Sequence, residues 1–233
     1  MEGLAHLIDH APLFPPASMD MPAAVEEDAR ARAGEHAWML ARFVCPASRL
    51  RDYEAELGGA ESPAVSAVLD GGDWETTPLP VEAVEIVGPP DFEPSGVEVF
   101  CEIPLDDDWR DTLAAVAASG GKAKLRCGGK AVPTVEQVAA FFAAARDLEL
   151  PFKATAGLHH PVRSEREHGF LNFLTAADRA AAGADEAELR DILATTDASA
   201  LSAGSAAGRE LFVSIGSCSF AEPVEDLRAL GLL

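Results

Sequence analysis

Apolar positions along this chain follow two rhythms. Short runs of strand length, either alternating or apolar throughout, cover Trp38–Cys45, Val65–Asp70, Val81–Val87, Val97–Ile103, Ala123–Cys127, Phe152–Ala156 and Leu211–Ser217, and Gly, Pro, Asp and Ser punctuate them as they do β-strands. Elsewhere the spacing lengthens to that of a helix. Pro22, followed by Glu26, Glu27 and Asp28, opens a helix that Gly34 ends, with proline and acids where the first turn favours them. Ser48 caps a helix through about Leu57, and Asp108 opens one through Ser119 that Gly120 and Gly121 stop. Thr134 with Gln137 makes a capping box ahead of the stripe Val138, Ala139, Phe142 and Ala145, Asp185 with Glu188 caps a helix to Thr195, and Pro223–Leu230 closes the chain.

Four stretches break these rhythms. The opening LIDHAPLFPPASMDM, interrupted by Pro12, Pro15 and Pro16, reads as an irregular arm over about residues 1–20. GGDWETTPLP and GPPDFEPSG are too short and too rich in turn formers for helices, although parallel strands normally need a longer crossover. HHPVRSEREH is a polar loop of the kind that covers a site, Gly169–Ala182 after it reads as strand or helix, with Gly169–Leu174 the candidate eighth strand, and Ser199–Gly208 is a small-residue loop. Seven strands with that eighth, and helices between the later ones, predict a TIM-like (β/α) barrel, trimmed or partly antiparallel in the sector of the second to fourth strands, forming one domain over residues 1–233.

Composition narrows the partners. Hydrophobic residues at 48% and charged residues at 24% fit a soluble globular chain of 233 residues. A formal charge of −21, from 39 acids against 18 bases, repels phosphate backbones and anionic lipid, so neither nucleic acid nor membrane is expected as a partner. A small anionic molecule is expected instead, because scarce bases gather in Gly121–Lys153. Self-association as a homo-oligomer is left open. Cys45, Cys101, Cys127 and Cys218 have no metal or redox spacing, and the N-terminus has no basic segment followed by an unbroken apolar run, which together predict a cytoplasmic protein with buried thiols. No cofactor and no dedicated metal site is predicted.

Strand alternation supplies the candidate chemistry. Lys122, Lys124 and Arg126 share one face of their strand while Ala123, Leu125 and Cys127 take the other. Lys153 lies with Thr155, Glu85 with Ala83 and Val87, and Glu98 with Phe100 and Glu102. If those faces line a barrel, Glu102, Lys124, Arg126 and Lys153 converge, and desolvation near other cations lowers a lysine toward neutrality and makes it a nucleophile. The alternative is a buried ion-pair network that only fixes strand register. Gly128 and Gly129, and Ser217 after Gly216, are candidate anion-binding backbone, with Arg126 as a bidentate clamp. His159 and His160 are candidates for general acid–base work or for metal ligation with His168, Glu102 or Asp9, at most one of the pair facing the site. Arg163 and Asn172 are candidate polar liners of the site, and Cys218 reads as a packed thiol.

Two resemblances add to this. LIDHAPLFPP, FVCPASRL, AKLRCGG, PFKATAGLHHP, HGFLN and SIGSCSF with the tail EPVEDLRALGLL resemble an uncharacterised bacterial β/α-barrel family over nearly the whole chain. That implies the barrel and brings no activity with it; the chain departs from the family's length in its second to fourth strands. Lys153-Ala154-Thr155-Ala156-Gly157 is similar to the K-T-S-T-G strand of deoxyribose-phosphate aldolases, in which the lysine forms the Schiff base. The similarity implies Lys153 as nucleophile, with Lys124 as the neighbour that depresses its pKa. The expected function is a lyase or aldolase of Schiff-base type acting on a small anionic carbonyl compound. A non-catalytic anion-binding or scaffold barrel, and a metal-dependent hydrolase or lyase built on His159 or His160, stand beside it.

Overall fold

A computed structural model describes residues 2–72, 74–90, 96–129 and 132–233. Eight strands run in chain order around a closed, wholly parallel barrel: β1 (Ile8–His10), β2 (Leu40–Pro46), β3 (Val65–Val68), β4 (Val81–Val87), β5 (Glu98–Glu102), β6 (Lys122–Arg126), β7 (Phe152–Thr155) and β8 (Phe212–Ser217). β8 closes on β1 with Asp9 opposite Gly216. The fold is therefore the expected α/β TIM-like barrel, and the suggestion of antiparallel pairing in its trimmed sector is corrected.

The helices are α1 (Met21–Arg32), α2 (Leu50–Leu57), α3 (Trp109–Ala118), α4 (Val135–Asp147), α5 (Phe170–Ala181), α6 (Glu186–Ala194), α7 (Ala206–Leu211) and α8 (Ala221–Ala229). Their starts follow the sequence where a side chain fixes them. Asp20 accepts from the Ala23 amide ahead of α1, the Thr134–Gln137 capping box forms in both directions, and Asp185 accepts from the Glu188 amide. Ser48 does not cap α2; its amide and hydroxyl both donate to Asp70 at the end of β3.

Three expectations need correction. The eighth strand is β1, inside the stretch read as an irregular arm, and its prolines follow it rather than break it. Of the two readings of Gly169–Ala182 the helix is the one formed, as α5 with Gly169 at its N-cap, so Gly169–Leu174 is not a strand. Residues Phe170–Ala177 are all buried, Asn172 and Thr175 included, so Gly169–Leu174 carries too short a stretch of the helical period to be told from a buried strand. The loop expected at Ser199–Gly208 instead holds a single 3-10 turn, Ala198–Ala200, and the first residues of α7, where the Ser205 side chain accepts from the Gly208 amide.

Between β3 and β5 no described residue is in an α-helix; part of GPPDFEPSG lies outside the described residues. The outward residues Val65, Ala67, Val84 and Val99 are nonetheless buried. Leu69, Trp74, Leu79, Val97 and Leu105 from the flanking loops pack against the core and take the place of helices. On the far side Phe141, Phe142, Phe152, Phe173 and Phe212 pack ring against ring, with Phe142–Phe152 centroids 4.9 Å apart and Phe152–Phe212 5.3 Å. Such edge and tilted pairs tie α4 and α5 to β7 and β8. One wall of the barrel is thick and aromatic, the other thin. No helix among the described residues is long and apolar enough to cross a membrane.

Candidate functional site

The inward face of the barrel is charged from end to end. At the strands' N-terminal ends Glu98 bonds both Arg42 (2.5 Å) and Lys122. Above them the buried ring of Phe100 sits among three cations, with its centroid 5.9 Å from Arg42, 5.7 Å from Lys122 and 5.2 Å from Lys153. At mid-height Lys153 donates to Asp9 Oδ2 (2.5 Å) and Glu85 Oε1 (2.8 Å), Ser214 donates to Asp9 (2.7 Å), and Ser66 donates to Glu85 (2.9 Å). Higher still, Lys124 lies 3.1 Å from Glu85 Oε2 and 3.0 Å from Glu102.

The register explains this convergence. Glu102 pairs with Lys124 across β5 and β6, Lys124 with Lys153 across β6 and β7, and Lys153 with Ser214 across β7 and β8. Paired positions in parallel strands point to one face, so the polar positions of four strands meet inside. Asp9, Glu85, Glu98 and Glu102 thus face Arg42, Lys122, Lys124 and Lys153, four acids against four bases.

Charge states follow from the contacts. Burial alone would push the Glu85 carboxyl up, but Lys153 and Lys124 override it and hold Glu85 well below the usual carboxylate range. Burial alone would lower Lys153, yet Asp9 and Glu85 raise it above its ordinary value. The expectation that Lys124 depresses the Lys153 pKa is therefore corrected: two carboxylates, not cations, are the nearest charges to Lys153, and they keep it an ammonium.

Above Lys124 a cavity of about 330 Å³ opens at the C-terminal ends of the strands, within the size range of small-molecule sites. Lys124, Arg126, Glu102, Thr155 and His159 line one side of it, while Ala11, Phe14, Val44, Val68, Leu69 and Val87 line the other, with Glu85 reaching in. Lys153 is fully buried beneath and does not line it. Arg126 is exposed, its Nε donates to the Gly128 carbonyl, and among the described residues no carboxylate lies within ion-pair distance of it.

The remaining candidates divide. His159 lines the cavity beside Cys218, its Nδ1 3.4 Å from Ser217 Oγ, 4.0 Å from Cys218 Sγ and 3.7 Å from Glu222. His160 turns away and bonds Asp226 at 2.6 Å, a hydrogen bond that raises its pKa. Arg163 bonds His168, and Asn172 accepts from the Arg163 amide while donating to the carbonyls of Ile192 and Thr195. Arg163 and Asn172 therefore brace the loop ahead of α5 and the end of α6, outside the cavity. His168 Nε2 donates to the Pro133 carbonyl at 2.8 Å, and burial lowers its pKa. Gly128 and Gly129 lie at the exit of β6 without lining the cavity, and Ser217 is buried just behind it, bonded to the Ser219 carbonyl. Burial raises the Cys218 thiol, consistent with a packed rather than reactive cysteine. No group of three or more His, Cys, Asp or Glu among the described residues is placed to hold a metal ion.

In the sequence Asp9 stands out only as a candidate metal-binding partner of the histidines, and Ser214 does not stand out. Glu85 was visible in the alternation of β4, whereas Asp9 sits on a three-residue strand with no period to read. In comparisons with known proteins, no family model, no curated protein and no solved structure matches the chain.

Proposed function

We propose that this barrel is a lyase or aldolase of Schiff-base type that acts on a small anionic carbonyl compound through a strand-end lysine. The observation that carries the reading is Lys124 at the floor of a cavity, held between Glu85 and Glu102, with the Arg126 guanidinium, which has no carboxylate partner among the described residues, above it on the same strand face. Lys124, rather than the submerged Lys153, is the nucleophile in this reading, because only Lys124 borders space that a substrate can enter. Glu102, 3.0 Å away, takes the ammonium proton. The freed lone pair adds to the carbonyl carbon, and loss of water leaves a protonated imine that can accept the electrons of a breaking carbon–carbon bond. His159 faces the same space and serves as the acid or base for the departing fragment. Lys153 stays charged and balances Asp9 and Glu85. Arg126 holds the substrate's anionic group. A reducing compartment, the cytoplasm, suits the four free and buried thiols.

Borohydride trapping with small oxo acids and aldehydes, followed by peptide mass mapping, tests this. The expected adduct is on Lys124 and disappears in Lys124→Arg; an adduct on Lys153 would exchange the two roles, and none on either lysine would sink the chemistry. The second reading, a barrel that binds an anion without turnover, is favoured by one observation: each of the two lysines already contacts two carboxylates.

A further inference from the structure

The cavity has two unlike walls. On the side of β5 to β7 it presents Glu102, Lys124, Arg126, Thr155 and His159. On the side of β1 to β4 the side chains of the described residues are hydrocarbon, apart from Glu85, whose oxygens already accept from Ser66, Lys153 and Lys124. Val87, which closes that wall at the rim, is 71% exposed and stands in register with Glu102. Val87 thereby carries the apolar surface of Val44, Val68 and Leu69 out to the mouth of the cavity. A hydroxylated carbon chain laid on this wall would lose its water and find no side-chain partner among the described residues, which penalises each hydroxyl it buries.

We infer that the occupant is an amphipathic oxo acid: carboxylate at Arg126, carbonyl at Lys124, and an aliphatic or aryl arm lying on Val44, Val68, Leu69 and Val87. Polyhydroxylated chains, sugar phosphates among them, are excluded. The assignment of the polar end rests on the lysine reading above; the assignment of the apolar arm rests on the wall alone.

Calorimetric titration with pyruvate, ketobutyrate, ketoisocaproate and phenylpyruvate, against glyceraldehyde phosphate as the hydroxylated control, decides it. Affinity is expected to rise with the length of the arm, about fourfold per added methylene, and the control is expected to bind more weakly than ketoisocaproate. Val87→Asn, at an exposed position that does not threaten folding, and the near-isosteric Val68→Thr are each expected to flatten the series. A series that is flat in the native protein, a tighter sugar phosphate, or binding by no member overturns the inference. Borohydride trapping in the same samples separates the two claims. An adduct with a flat series leaves the lysine chemistry standing and removes the apolar arm, whereas a graded series without an adduct does the reverse.

Discussion

Lys153 holds its charge where water does not reach, with Asp9 and Glu85 within hydrogen-bond distance and both nearly fully buried. Removing one member of such a set is far more damaging than its net worth suggests, because the partners keep their desolvation penalty and lose what offset it. Lys153→Met is expected to lose about 3–5 kcal/mol of stability in urea unfolding at neutral pH, and a loss below about 1 kcal/mol would show that the lumen tolerates unpaired carboxylates. The pH dependence has a definite sign. Glu85 is depressed in the folded protein, so its contribution is present above its unfolded value of about 4.3 and is lost progressively as pH falls below that. Lys153 is raised, so its contribution is present below about 10.4 and is lost as pH climbs past it. These are two views of one interaction and are not summed. The gap between wild type and Lys153→Met should therefore be widest between those limits and narrow below about pH 4.

At the scale of elements, the exits of β6 and β7 decide whether the cavity keeps its shape. Gly128 and Gly157 pass so closely that a Cβ on Gly128 would lie 2.9 Å from the Gly157 nitrogen and 3.0 Å from the Ala156 carbonyl carbon, while Gly157 itself has φ of 71°. Those neighbours are backbone and cannot swing aside. Gly128→Ala is expected to lose about 1–3 kcal/mol in denaturant unfolding and to weaken ligand binding as well, since Ala156 and His159 follow on the displaced segment; a change within about 0.5 kcal/mol would mean that the loops separate freely. This close approach is also where the sequence misleads: a glycine doublet after a strand suggests an anion nest, and here its first residue makes room for another backbone. Other elements were readable because a local rule fixes them. Alternation in β6 assigned Lys122, Lys124 and Arg126 to one face, and Thr134 with Gln137 marked the start of α4. What could not be read was non-local or without period. β1 is three residues long, α5 opens with a run of buried residues, Phe170–Ala177, and the carboxylates that set the Lys153 charge lie 144 and 68 residues away in the chain.

For the whole molecule the lumen leaves the charge balance untouched. Its four acids and four bases cancel, so the formal charge of −21 belongs to the outer surface. Surface acids repel one another over distances that salt screens, from about 30 Å at 0.01 M to about 8 Å at 0.15 M ionic strength, whereas the fully buried pairs of Lys153 with Asp9 and Glu85 are screened much less. Sodium chloride added over that range should therefore raise the melting temperature, each kilocalorie per mole of relieved repulsion counting for roughly 2–4 °C in a chain of this size. Lys153→Met should melt lower at every salt concentration with the same slope, because the residue it lacks sits outside the reach of the ions. A melting temperature that falls with salt would mean that exposed pairs such as Arg30–Glu26 and Arg179–Glu188 outweigh the repulsion, and a slope altered in Lys153→Met would mean that ions enter the barrel.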